Sequence, residues 1–152
     1  MAEIDAHISD GALDVTAALG AGSSPECGAV AAFIGTVRQS AAVPENGAKR
    51  VVGLEYEAHP TLAPARIREI AHEAAKKWDL KKVIAVHRSG PCVLGEPTVV
   101  VVTSAPHRAD ALESCRWLID TIKAGVPIWK KELYADGSSW VGADPSLIPR
   151  AR

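Results

Sequence analysis

An α+β fold with a largely antiparallel sheet follows from three features of the 152-residue sequence. Short runs of β-branched and aromatic residues recur along the chain. Two longer segments carry helical periodicity. The two kinds of element are mixed in order rather than strictly alternating. A short N-terminal element ends at Gly20-Ala21-Gly22-Ser23-Ser24-Pro25, a stretch of turn formers. Strands are expected over Ala29–Val37, Val51–Tyr56, Val83–Val86 and Thr98–Thr103. Val99-Val100-Val101-Val102 is apolar on both faces, which requires cover on both sides of the sheet. Residues 40–49, with Pro44, Asn46 and Gly47, read as a surface loop.

The first helix follows Pro60. Ile67, Ile70, Ala71, Ala74 and Trp78 fall on one stripe, and Pro64 suits the first turn, where its missing N–H is not needed. The second helix is expected from Ser104-Ala105-Pro106 to about Lys123. Ser104 is its N-cap, and Leu112, Cys115, Ile119 and Ile122 form its buried face. Gly125 and Pro127 stop it. Ile128–Leu133, Asp136-Gly137 and Trp140-Val141 then read as a hairpin, followed by an irregular tail from about residue 142.

Length suits one domain over residues 1–152. The apolar fraction of 47% and charged fraction of 23% are those of a soluble globular protein. A net charge of −1 gives no global basic field, which argues against nucleic acid and anionic membrane as partners. No apolar stretch is long enough to span a bilayer, and no signal peptide is evident. Cys27, Cys92 and Cys115 are far apart and odd in number, so neither a zinc site nor a disulfide framework is expected, and the reducing cytoplasm is the expected compartment. No metal or other cofactor is called for. Walker, G-x-G-x-x-G and G-x-S-x-G signatures are missing.

Any bound anion must therefore meet a local cluster of cations. Arg38 ends a strand in Gly35-Thr36-Val37-Arg38. His107 and Arg108 open the second helix against its macrodipole, a placement that suits an anion site. Lys123 lies in that helix's last turn, where the macrodipole favours a cation in any case. Lys130 and Lys131 alternate on a strand, so one can line a pocket while the other is solvated, and the pattern leaves open which. Trp129 suits a core or interface anchor. His87-Arg88 reads as a structural pair closing a turn at Ser89-Gly90-Pro91, Glu55 and Glu57 as a solvated face, and His59 and His72 as surface or helix residues.

Several segments together resemble one family: Gly28 through Arg38, Leu54-Glu55-Tyr56-Glu57-Ala58-His59-Pro60, Val86-His87-Arg88-Ser89-Gly90, Ser104-Ala105-Pro106-His107-Arg108-Ala109, and Lys123-Ala124-Gly125-Val126-Pro127-Ile128-Trp129-Lys130-Lys131-Glu132 with Trp140-Val141. The pattern is similar to that of the molybdopterin synthase catalytic subunit. The resemblance implies an α/β hammerhead fold with an additional antiparallel β subdomain, and a homodimer. It also implies a small ubiquitin-like sulfur-carrier subunit whose C-terminal Gly-Gly, as a thiocarboxylate, donates sulfur to cyclic pyranopterin monophosphate. By the same resemblance Lys123 and Lys130 are catalytic, and Thr36, Val37, Arg38, His107, Arg108, Lys131 and Glu132 bind substrate. Lys77 stands where some relatives have arginine, and Gly142-Ala143-Asp144 lacks a basic residue that some relatives carry. The competing expectation is a module that holds an anion or a carrier tail without chemistry.

His107 and Lys123 are 16 residues apart on one helix, which is about 24 Å at 1.5 Å per residue. One straight helix cannot place both on one small ligand. A site shared across a two-fold dimer is therefore expected.

Overall fold

The computed structural model describes residues 1–39, 50–137 and 139–143. Along the chain run β1 (Glu3–Ser9), α1 (Val15–Ala21), β2 (Ala29–Thr36), β3 (Val51–Ala58), α2 (Leu62–Lys77), β4 (Lys82–Arg88), β5 (Gly90–Val93), β6 (Pro97–Ala105), α3 (Arg108–Gly125), β7 (Ile128–Tyr134) and β8 (Ser139–Ala143). They form two four-stranded sheets, ordered β1-β4-β6-β2 and β5-β3-β7-β8. Only β1 and β4 pair in parallel among the described strands. The α+β class is as expected, and the second sheet is the additional antiparallel unit. The expected loop at 40–49 and the tail beyond 143 lie outside the described residues.

The two central strands of the first sheet, β4 and β6, are buried on both faces, as the valine run requires. Val99 and Val101 join the main core, with Ile67, Ile70 and Ala74 of α2 and Leu118 and Ile122 of α3. Val100 and Val102 point the other way, into a smaller cluster with Ile84 and Val86 that α1 covers through Ala18, helped by Leu13. Asp14 caps α1 by accepting the Ala17 N–H at 3.0 Å. Burying each large aliphatic side chain contributes about 1.5–3 kcal/mol, so this alternation fixes the register of β6.

His59 has a definite task at the start of α2. Its ring Nδ1 accepts the N–H groups of Leu62 at 3.1 Å and Thr61 at 3.3 Å, satisfying donors that the helix itself cannot. Trp78, just beyond α2, meets Trp117 of α3 edge-on at 5.7 Å between ring centroids, which ties the two helices together.

His87 and Arg88 close the corner between the sheets. His87 Nδ1 donates to the Arg88 carbonyl at 2.7 Å. The Arg88 guanidinium donates to the carbonyls of Asp10, Ser89 and Pro91 and pairs with Glu96 at 3.4 Å. Gly90 takes φ +90°, a conformation that a side chain would strain, and so lets the chain pass from β4 into β5. Sequence reasoning took this segment for a turn alone, because a four-residue strand containing Pro91 carries almost no periodic signal.

Two other expectations need correction. Ser104 does not cap α3: it is fully buried within β6, and the helix begins at Arg108 with His107 at the cap position and no side-chain cap bond. The valine strand continues to Ala105, so the cap position falls three residues later than expected. Leu112 is not on the buried face but 61% exposed; Ala111, Ser114, Cys115, Leu118, Ile119 and Ile122 are buried instead. Cys115, Ile119 and Ile122 are buried as expected, but the face centres between them and Ala111, Ser114 and Leu118, which leaves Leu112 at its edge.

Candidate functional site

The second sheet packs so that β7 brings alternate side chains to the mouth of the first. Ile128, Lys130, Glu132 and Tyr134 share one face by the two-residue period of the strand. Opposite them on β3, Tyr56 pairs in register with Lys130, and Leu54 with Glu132. The last turn of α3 supplies Lys123, and the end of β2 supplies Thr36, followed by Arg38.

These residues line one cleft of about 380 Å³, formed by Phe33, Ile34, Gly35, Thr36, Arg38, Leu54, Tyr56, Thr98, Lys123, Lys130 and Glu132. That volume lies within the range of small-molecule sites, about 300–1,000 Å³. Arg38, Lys123 and Lys130 face a single carboxylate, Glu132, so the cleft carries an excess of two positive charges on a chain of net charge −1. Glu132 is almost fully buried and accepts a hydrogen bond from the Tyr134 hydroxyl at 3.0 Å. Burial, then the neighbouring Glu132, pushes the Tyr134 phenol up to about 12, so it stays a donor at any physiological pH. A positive, partly enclosed cleft of this kind stabilises anions and the negative charge that develops during group transfer.

Five of the nine expected site residues meet here: Thr36, Arg38, Lys123, Lys130 and Glu132. Val37 is buried in the wall behind them. Lys131 is on the opposite face of β7 and does not line the cleft. His107 and Arg108 are exposed at the far end of α3, well away from Lys123 on the same chain. Thr98 was not singled out by sequence, and Tyr56 was weighed for acid/base chemistry only with Glu55 and Glu57, in a segment read as a solvated face, whereas it is buried. Pairing β3 against β7 in register would have found Tyr56 beside Lys130; Thr98 gave no signal, being one polar residue in an apolar strand.

A second, more open and apolar hollow of about 650 Å³ adjoins the cleft. Its lining includes Ala31, Phe33, Leu112, Cys115, Arg116, Ile119 and Lys123, of which Phe33 and Lys123 belong to both.

Known proteins match the chain over most of this structure. The family model described as MoaE protein matches residues 8–125. The molybdopterin synthase catalytic subunit of Taeniopygia guttata is 45% identical over 118 residues, covering 77% of this chain and 73% of the relative. The human protein of that name is 40% identical over 119 residues, covering 78% of this chain but 61% of its own length. Among solved structures, molybdopterin synthase from Staphylococcus aureus superposes with a TM-score of 0.81 at 30% identity, over 91% of this chain and 97% of that one. A complex of subunits 1 and 2 of the Helicobacter pylori molybdopterin-converting factor contains the same fold, with a TM-score of 0.72 at 23% identity over 93% of this chain and 91% of that one. The matched segment holds β2, the start of α3 and Lys123 in one continuous stretch, and the chain belongs to the MoaE family, whose curated relatives are molybdopterin synthase catalytic subunits.

Proposed function

We propose that this chain is the catalytic subunit of a molybdopterin synthase, a sulfurtransferase. It takes sulfur from the thiocarboxylated C-terminal Gly-Gly of a small ubiquitin-like carrier and places it on cyclic pyranopterin monophosphate. The observation that carries this reading is the convergence of Arg38, Lys123 and Lys130, from three separate elements, on one cleft. Both reactants are anions. Bringing them together costs Coulomb energy, which a cluster of fixed cations offsets.

In this reading the Arg38 fork holds phosphate or carboxylate oxygens. Lys123 is aimed at the charge that builds on the departing oxygen as sulfur attacks, and later at the carrier carbonyl as water replaces sulfur there. Lys130 supports it from β7, with Thr36 and Glu132 shaping the pocket between them. Lys131, turned away, takes no part inside the cleft. The relatives' description as a catalytic subunit, and the two-subunit complex of the H. pylori protein, support a separate carrier partner.

A second copy of the chain completes the site. Phe33, Leu112, Cys115 and Ile119 border an apolar hollow continuous with the cleft, and Leu112 and Phe33 are exposed there. A two-fold partner seated on this face runs its α3 antiparallel and brings its own His107 and Arg108 toward Lys123. The proposed location is the cytoplasm; among the described residues no helix is long and apolar enough to cross a membrane.

The test is an assay with cyclic pyranopterin monophosphate and thiocarboxylated carrier. Dithiolene product is expected. Tight binding of both reactants without product would leave an anion-binding or tail-binding module in its place.

A further inference from the structure

We infer that Tyr134 is a positioning residue for the sulfur-transfer site, acting through Glu132. The inference rests on the function proposed above. Glu132 is 2% exposed, yet it lines the cleft. An ionised carboxylate at such depth is costly unless its oxygens are bonded and cations are near. Tyr134, 4% exposed and two residues along the same face of β7, donates to Glu132 Oε1 at 3.0 Å. That bond fixes one carboxylate oxygen, and with it the plane of the group, from the side away from solvent.

The polar groups that line the cleft with this carboxylate include Arg38 after β2, Lys123 of α3, Lys130 two residues before it on β7, and Tyr56 of β3. Asp136, past the end of β7, acts on Tyr134 electrostatically. Three of these neighbours are cations that share the cleft with this one carboxylate, and in this proposal its orientation helps to set theirs. A carboxylate free to rotate releases the lysines from that arrangement. Tyr134 thus sets the geometry of the cationic cluster without touching substrate.

The experiment compares wild type with Tyr134→Phe, each assembled with thiocarboxylated carrier. Tyr134→Phe should lower kcat about tenfold, as small misplacements of catalytic groups do. KM for the pterin should stay within about twofold, because the positioning acts on the reacting geometry and not on ground-state binding. Wild-type kcat in this variant, or a fall in kcat/KM carried entirely by KM, overturns the inference. A wild-type protein that makes no product counts instead against the proposed function.

Should Tyr134→Phe fail to fold, the Glu132→Gln/Tyr134→Phe double variant, which has no buried charge, carries the test. Its kcat should equal that of Glu132→Gln alone. A further tenfold loss in the double variant would show that Tyr134 does not act through Glu132.

Discussion

Arg88 shows how much can depend on one side chain away from the cleft. It is 5% exposed and holds three carbonyls and Glu96 together at the corner joining the sheets. Removing one partner of a buried charged network leaves the other uncompensated, at about 3–5 kcal/mol. Arg88→Ala should lower unfolding free energy in denaturant by about that amount; a loss under 1 kcal/mol would contradict the structural role. The pair was legible in sequence as structural because it precedes Ser89-Gly90-Pro91, although its partners were not, since Asp10 is 78 residues away.

The thiols differ just as sharply. Burial pushes Cys92 and Cys115 up to about 11 from the usual 9.0, whereas Cys27 is only half-buried. Because the thiolate is the reactive form, a thiol reagent at pH 8 should modify one cysteine quickly and the other two only on unfolding. The sign of the pH effect follows. Unfolded thiols ionise near 9 while the folded ones keep their protons to about 11, so stability should fall as pH rises through that window. Three equally fast thiols at pH 8 would contradict this.

At the scale of elements, Gly28 shows how closely β2 approaches the segment before α3. A Cβ built there would lie 2.7 Å from the Pro106 carbonyl oxygen, which is backbone and cannot swing aside. Gly28→Ala should therefore cost about 1–3 kcal/mol of stability, read from the shift in denaturation midpoint. An unchanged midpoint would mean that the β2–β6 pairing is looser at this end than described.

Strong periodic signals were readable element by element: the doubly covered valine strand, the stripe of α2, and the β7–β8 hairpin. Ser104 and Leu112 misled because the boundary of α3 depends on how far β6 extends, which tertiary packing decides. The alternation of Lys130 and Lys131 was legible as a choice of two faces. Only the pairing of β7 against β3 turned Lys130 inward.

At the scale of the whole molecule, the cleft unites what the chain separates by up to 99 positions, from Phe33 to Glu132. Charge placement singled out Arg38, Lys123 and Lys130 one by one, but only the resemblance joined them into a site and added Thr36 and Glu132, since no local motif links a strand end, a helix end and a second sheet. The same geometry leaves His107 and Arg108 at the far end of α3, so in the proposed composite site they come from a partner copy. Heterodimers combining a Lys123→Ala protomer with an Arg108→Ala protomer contain one intact composite site. They should recover part of the activity that each homodimer lacks. Verified heterodimers with no recovery would contradict a shared site and confine the chemistry to one chain.

The central claim is that Lys123, held at the cleft by the last turn of α3, stabilises the charge developed during sulfur transfer. It is tested most directly by single-turnover conversion of cyclic pyranopterin monophosphate with thiocarboxylated carrier, comparing wild type with Lys123→Ala. Losing one such stabilising group should slow conversion about 10²- to 10³-fold, with the melting temperature essentially unchanged. Conversion at the wild-type rate in a folded Lys123→Ala protein would contradict the account.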